Sequence, residues 1–156
     1  DEPISSSRIR EALSSGQIKK VNRMLGYSYS VFGEMAKGRG LGSEIGFPTL
    51  NLPWVPEARP AYGVYLVEVA FPSKNESAYG VANYGFRPTV ERVKIQPLLE
   101  VHLLGEGDYL CHQPGDAISV NLLEFLRPER KFDSLDSLKT QIAADKIEAE
   151  KLVLTL

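Results

Sequence analysis

Gly63-Val64-Tyr65-Leu66-Val67-Glu68-Val69-Ala70-Phe71 is followed, after Pro72-Ser73-Lys74-Asn75-Glu76-Ser77, by Ala78-Tyr79-Gly80-Val81-Ala82-Asn83-Tyr84. Two runs rich in Val, Leu, Tyr and Phe, parted by a Pro, Ser and Asn cluster, read as consecutive antiparallel strands. Working outward, residues 29–35, 98–104 and 117–125 have the same character and are bounded by Gly, Pro, Asn and Ser. At the N-terminal end the pattern turns helical across residues 5–26. Ile9, Ala12 and Leu13 recur at helical spacing, Gly16 stops the run, and Val21, Met24 and Leu25 form a second stripe before Gly26. At the C-terminal end Ser134 is a helix N-cap and Asp136 sits in the first turn. Leu135, Leu138, Ile142, Ala149 and Leu152 make an apolar stripe. Helices, then strands, then one long helix predict a mainly β fold: a small closed antiparallel β barrel with a long C-terminal α-helix and short N-terminal helices. The expected division is residues 1–26 as a helical appendage or interdomain connector and 27–156 as the barrel domain.

Composition bounds the rest. Of 156 residues, 43% are hydrophobic and 24% charged, which excludes collagen-like, disordered and coiled-coil chains. Eighteen Lys and Arg against 20 Asp and Glu leave a net charge of −2. That balance gives no general pull toward nucleic acid or acidic membranes. No apolar run is long enough to span a bilayer, and no secretory signal opens the chain. The first residue is Asp1 rather than Met, so a trimmed fragment is expected. Cys111 is the single cysteine. It reads as an inert strand-end thiol, and with His102 and His112 it cannot build a typical structural zinc site. Low cysteine use points to the cytoplasm.

Three segments carry candidate chemistry. Lys37-Gly38-Arg39-Gly40-Leu41-Gly42-Ser43 alternates glycines that let backbone N–H groups approach a phosphate, with two cations beside them. No Gly-Lys-Ser/Thr follows, and Pro48 forbids the helix of a dinucleotide fingerprint. Taken alone, the run reads by default as a mobile glycine-rich hairpin without a ligand. Gly46-Phe47-Pro48-Thr49-Leu50-Asn51 comes next. Pro48 favours an extended chain, in which Thr49 and Asn51 face one side and offer hard oxygen donors suited to Mg²⁺. The competing reading has both residues only bonding their own turn. In Leu98-Leu99-Glu100-Val101-His102-Leu103-Leu104, one face is apolar. Glu100 and His102 stand among leucines on the other. A carboxylate in that setting can have a raised pKa and act as a general base, or can simply face solvent.

These segments together resemble the riboflavin kinase family. The resemblance runs from the glycine-rich loop and Pro48-Thr49-Leu50-Asn51 through Gly63-Val64-Tyr65 and Val81-Ala82-Asn83-Tyr84-Gly85-Phe86-Arg87-Pro88-Thr89. It continues over Leu99-Glu100-Val101-His102-Leu103-Leu104 and Phe125-Leu126-Arg127-Pro128-Glu129-Arg130-Lys131-Phe132-Asp133-Ser134-Leu135, in order, across about residues 29–153. Ile4-Ser5-Ser6-Ser7-Arg8-Ile9-Arg10 is similar to the tail of the adenylyltransferase module that precedes the kinase in bacterial bifunctional FAD synthetases. That module's His-x-Gly-His is absent.

The resemblance implies ATP-dependent phosphorylation of the riboflavin ribityl 5′-hydroxyl, giving FMN and ADP, with Mg²⁺ as cofactor. It implies Gly38, Gly40, Gly42 and Ser43 over ATP, Thr49 and Asn51 holding Mg²⁺ and phosphates, and Glu100 as the catalytic base. It also implies Arg127, Arg130 and Ser137 against the flavin, and a missing adenylyltransferase module in the parent chain, whose own activity is not expected of this fragment. Phe47, Trp54 and Phe132 are candidates to pack on nucleotide or flavin rings, with a core role equally open. Three rival readings stand beside the kinase: a flavin carrier or sensor barrel, an enzyme using flavin as a redox group, and a structural module serving a missing partner. Metal donors beside a base argue against the carrier, and no second redox group supports the redox enzyme.

Overall fold

A computed structural model describes residues 3–36, 49–86, 97–105 and 113–156. Its elements, in chain order, are α1 (Ser6–Ser14), α2 (Ile18–Leu25), β1 (Tyr29–Glu34), β2 (Leu50–Pro53), β3 (Gly63–Phe71), β4 (Glu76–Phe86), β5 (Pro97–Leu103), β6 (Ala117–Pro128) and α3 (Leu135–Val153). A single 3-10 turn, Pro72–Lys74, joins β3 to β4. The strands form one antiparallel sheet in the order β1-β6-β3-β4-β5-β2. The sheet curls until its two edges meet. Among the described residues closure consists of one bridge, where the Ala36 N–H donates to the Asn51 carbonyl at 2.8 Å.

The expected runs at 29–35, 63–71, 78–84, 98–104 and 117–125 all became strands, with ends moved by up to three residues. β2 was expected only as an extended segment. It pairs with β5, because Leu50 and Leu52 drop into the core opposite Val101 and Leu99.

Alternation along each strand sorts the side chains onto two faces. The inner face collects Val31, Leu52, Tyr65, Val67, Val69, Ala82, Tyr84, Leu99, Val101, Ile118, Val120 and Leu122. The α1–α2 hairpin caps this core with Ala12, Leu13, Ile18 and Val21. Asn22 ties the hairpin to the strands: its Nδ2 donates to the Leu122 carbonyl at 2.9 Å, and its Oδ1 accepts from the Tyr29 N–H at 2.7 Å.

The outer face is covered by α3, where Ala149, Leu152 and Val153 pack over Val64, Leu66, Val81 and Leu104. Two register shifts between β3 and β6 fall at Val64/Tyr65 and Leu66/Val67. Such bulges bend a strand and re-aim its side chains, and they place Leu123 and Leu126 in the cluster beneath α3. Helix α3 begins as expected, with Ser134 Oγ accepting from the Ser137 N–H at 3.1 Å. Its stripe differs at one end: Leu135 is exposed.

Candidate active site

Paired residues in an antiparallel ladder point to the same face. One row crosses five strands on the outer face: Asn51 pairs with Glu100, Glu100 with Asn83, Asn83 with Val64, and Val64 with Arg127. Four strand spacings of about 4.8 Å each make this row roughly 19 Å long. Where α3 stands off the sheet, a cavity of about 220 Å³ opens above the row. Thr49, Asn83, Glu100, His102 and Glu129 give it polar lining. Val64, Val81, Phe132, Leu138 and Ile142 give it apolar lining, and Arg127, Arg130 and Asp145 complete it. Such a cavity suits a ligand with a flat apolar part and a polar arm.

Thr49, Glu100, Arg127 and Arg130 therefore come together around one cavity, and Asn51 sits beside Glu100 in the row. Asn51 is 4% exposed, and its Oδ1 is buried with no hydrogen-bond partner among the described residues. A buried carboxamide oxygen left unpaired is costly unless something occupies it, so the donor set fits a hard divalent cation. Ser137 lies apart. It is exposed in the first turn of α3, and its hydroxyl accepts from Ser134 Oγ at 3.0 Å. Gly38, Gly40, Gly42 and Ser43, with Phe47, Arg87, Cys111 and His112, lie outside the described residues.

Of the candidate aromatics, Phe132 lines the cavity, with the guanidinium carbons of Arg130 and Arg127 at 5.4 and 5.9 Å from its ring centre. Trp54 does not. It packs on the inner face against Tyr84 at 4.9 Å and Tyr29 at 6.1 Å.

Three polar residues of the cavity were not singled out in the sequence. Asn83 follows from register alone. Glu129 lies over Gly85, where a Cβ would stand 2.6 Å from the carboxyl carbon, so a side chain at 85 would displace the Glu129 carboxylate. Partial burial pushes the Glu129 carboxyl above its ordinary range; a hydrogen bond with Asn83 opposes the rise and the Glu100 charge adds to it. Asp145 did leave a signal. It occupies the vacant place in the Leu138, Ile142, Ala149, Leu152 stripe, and an acidic residue on an apolar stripe requires a cationic partner. That partner is Arg127, whose Nε and Nη2 reach the two carboxylate oxygens at 2.9 and 2.7 Å.

A riboflavin kinase (flavokinase) family model matches residues 25–153. The chain belongs to the riboflavin kinase family. It is 40% identical over 148 residues to the bifunctional riboflavin kinase/FMN adenylyltransferase of Escherichia coli K12, covering 95% of this chain and 45% of that protein. The bifunctional protein of the same description from Bacillus subtilis is 38% identical over 151 residues, covering 96% and 46%. The chain thus spans somewhat less than half the length of these curated relatives. A crystal structure from Streptococcus pneumoniae, described as a macrolide-efflux protein, superposes with a TM-score of 0.76 at 30% identity, over 96% of this chain and 48% of that one. The riboflavin kinase structure of Trypanosoma brucei superposes with a TM-score of 0.52 at 21% identity, over 80% and 79%, and shows the shared fold. Among the described residues of this riboflavin kinase family member, no helix is long and apolar enough to cross a membrane.

Proposed function

We propose that this chain transfers the γ-phosphoryl group of ATP to the terminal ribityl hydroxyl of riboflavin, giving FMN and ADP. The observation that carries the reading is the row Asn51–Glu100–Asn83–Val64–Arg127 under one cavity. It sets a carboxylate beside oxygen donors at one end and an apolar, cationic surface at the other. Glu100 accepts the proton of the ribityl hydroxyl as that oxygen attacks phosphorus, and Asn83 beside it orients the polyol. Phosphoryl transfer needs little more from the protein than alignment, charge neutralisation and a base. The isoalloxazine ring lies on Val64, Val81, Leu138, Ile142 and Phe132, with Arg127 and Arg130 at its edge and Ser137 near the opening. Thr49 and Asn51 would hold Mg²⁺, which when bound neutralises phosphate charge. Gly38, Gly40, Gly42 and Ser43 would cover the nucleotide.

In the parent protein, the same reading makes this the kinase module beside an adenylyltransferase module, joined through residues 1–26 and working in the cytoplasm. The test is incubation with riboflavin, ATP and Mg²⁺, with FMN and ADP followed by chromatography. FMN formation supports the kinase; riboflavin bound without turnover supports the carrier barrel instead.

A further inference from the structure

Asp145 is 3% exposed on the inward face of α3. Its carboxylate accepts three hydrogen bonds: from Arg127 Nε at 2.9 Å, from Arg127 Nη2 at 2.7 Å and from Gln141 Nε2 at 2.9 Å. One helical turn away, Gln141 Oε1 accepts from Arg130 Nη1 at 3.1 Å. The remaining Arg127 nitrogen, Nη1, donates to the Pro128 carbonyl at 3.2 Å. Both arginines at the end of β6 are therefore tied to the same stretch of α3, and both guanidinium groups flank Phe132.

A leucine at position 145 would complete the apolar stripe. Replacing a buried ion pair by apolar residues is often neutral or stabilising, so such a pair is weak evidence for a stability role. What the pair does supply is direction. A bidentate fork fixes the plane of the Arg127 guanidinium, which a long free side chain would otherwise sample through many rotamers.

We propose that Asp145, with Gln141, is a positioning residue for the flavin end of the cavity: it holds Arg127, and through Gln141 it holds Arg130, in the orientation that receives the isoalloxazine ring. This rests on the kinase reading for the identity of the ligand. Binding is strengthened because the arginines are ordered before the ligand arrives. The nucleotide side, built from other elements, does not depend on the tie.

The experiment measures riboflavin affinity by quenching of flavin fluorescence and Mg-ADP affinity by calorimetry, on wild type, Asp145→Asn, Arg127→Ala and the double variant. Circular dichroism checks that each is folded. The expected result is a rise in the riboflavin Kd of about tenfold or more for Asp145→Asn, equivalent to about 1.4 kcal/mol, with the Mg-ADP Kd changed less than about twofold. In the Arg127→Ala background the Asp145→Asn change should add almost nothing, since a contact acting through Arg127 is non-additive with its loss. If Asp145→Asn does not fold, Gln141→Leu severs the tie to Arg130 and one bond to Asp145. It should raise the riboflavin Kd about threefold, again sparing Mg-ADP.

An unchanged riboflavin Kd in a folded variant, equal losses for both ligands, or additive effects in the double variant would each overturn the proposal. A wild-type protein that binds no riboflavin would overturn the kinase reading itself. Normal wild-type binding with an indifferent Asp145→Asn would overturn only the positioning role.

Discussion

Glu100 faces Asn51 on one neighbouring strand and Asn83 on the other, so its carboxylate stands between two carboxamides rather than in open solvent. Glu100→Gln keeps the size and hydrogen-bonding reach of the side chain and removes its ability to take a proton. Turnover is expected to fall about 10²-fold or more, while riboflavin and ATP bind nearly as before. Ligand titrations and steady-state kinetics on one preparation check this, and a fully active variant would end the proposed mechanism. Asn51 makes a separate claim. Its buried Oδ1 has no hydrogen-bond partner among the described residues, so Asn51→Ala removes that oxygen without breaking a hydrogen bond it makes to them. Thermal stability should stay near wild type while most FMN formation disappears. Near-normal turnover in that folded variant would remove Asn51 from the metal and phosphate site.

At the level of elements, the Arg127 end of the cavity depends on how β6 leaves the sheet. The chain enters β3 at Gly63 with φ of +153°, a conformation that L side chains rarely adopt. A Cβ there would collide with the Arg127 carbonyl oxygen and lie 2.6 Å from Cε2 of Phe125. Immediately beyond, the β3–β6 register shifts between Val64 and Tyr65. This close approach carries Arg127 to the cavity while Phe125 turns inward against Tyr65, ring centres 5.0 Å apart. Gly63→Ala should cost on the order of 1–3 kcal/mol from backbone strain alone. Urea unfolding measures it, and a loss under about 0.5 kcal/mol would show that the approach is not as tight as described.

Across the whole molecule, the inner face ends in a belt of rings: Trp54 on Tyr84, and Tyr84 and Phe86 on either side of Tyr62 at 5.2 Å each. The Tyr84 hydroxyl is buried there without a hydrogen-bond partner among the described residues. Burial, reinforced by the neighbouring Tyr62, pushes its pKa from 10.0 to about 12. Burial also raises Tyr65 and Tyr29. The folded state thus keeps a proton that the unfolded chain releases near pH 10. The associated stability is complete below that pH and is lost as pH climbs toward about 12. Tyr84→Phe should leave stability at pH 7 nearly unchanged and make the decline above pH 10 shallower, measured by urea midpoints from pH 7 to 11.5. An alkaline limb identical to wild type would mean that Tyr84 does not hold its proton through burial.

The mainly β order, the two short helices ending at Gly16 and Gly26, the Ser134 cap and the pairing of Thr49 with Asn51 on one face were all legible in the chain. Each depends on spacing between near neighbours, where helical and strand periods are fixed by backbone geometry. The alignment of Glu100 with Asn83 and Arg127 was not legible, because register between strands is set by how two hydrophobic faces meet across the sheet. The sequence likewise left Glu100 with both a solvated and a general-base reading, and Arg127 with a flavin contact that only the resemblance implied. In the tertiary structure α3 lies over the outer face, with Glu100 lining a cavity and Arg127 bonded to Asp145. Trp54 went the other way, into the inner belt, because β2 continues past Leu52 with the same face turned to the core. What the chain determined alone was local geometry and chemical capacity. Which capacities meet depended on contacts between residues such as Arg127 and Asp145, 18 positions apart, and Asn51 and Glu100 on separate strands, which local periodicity does not encode.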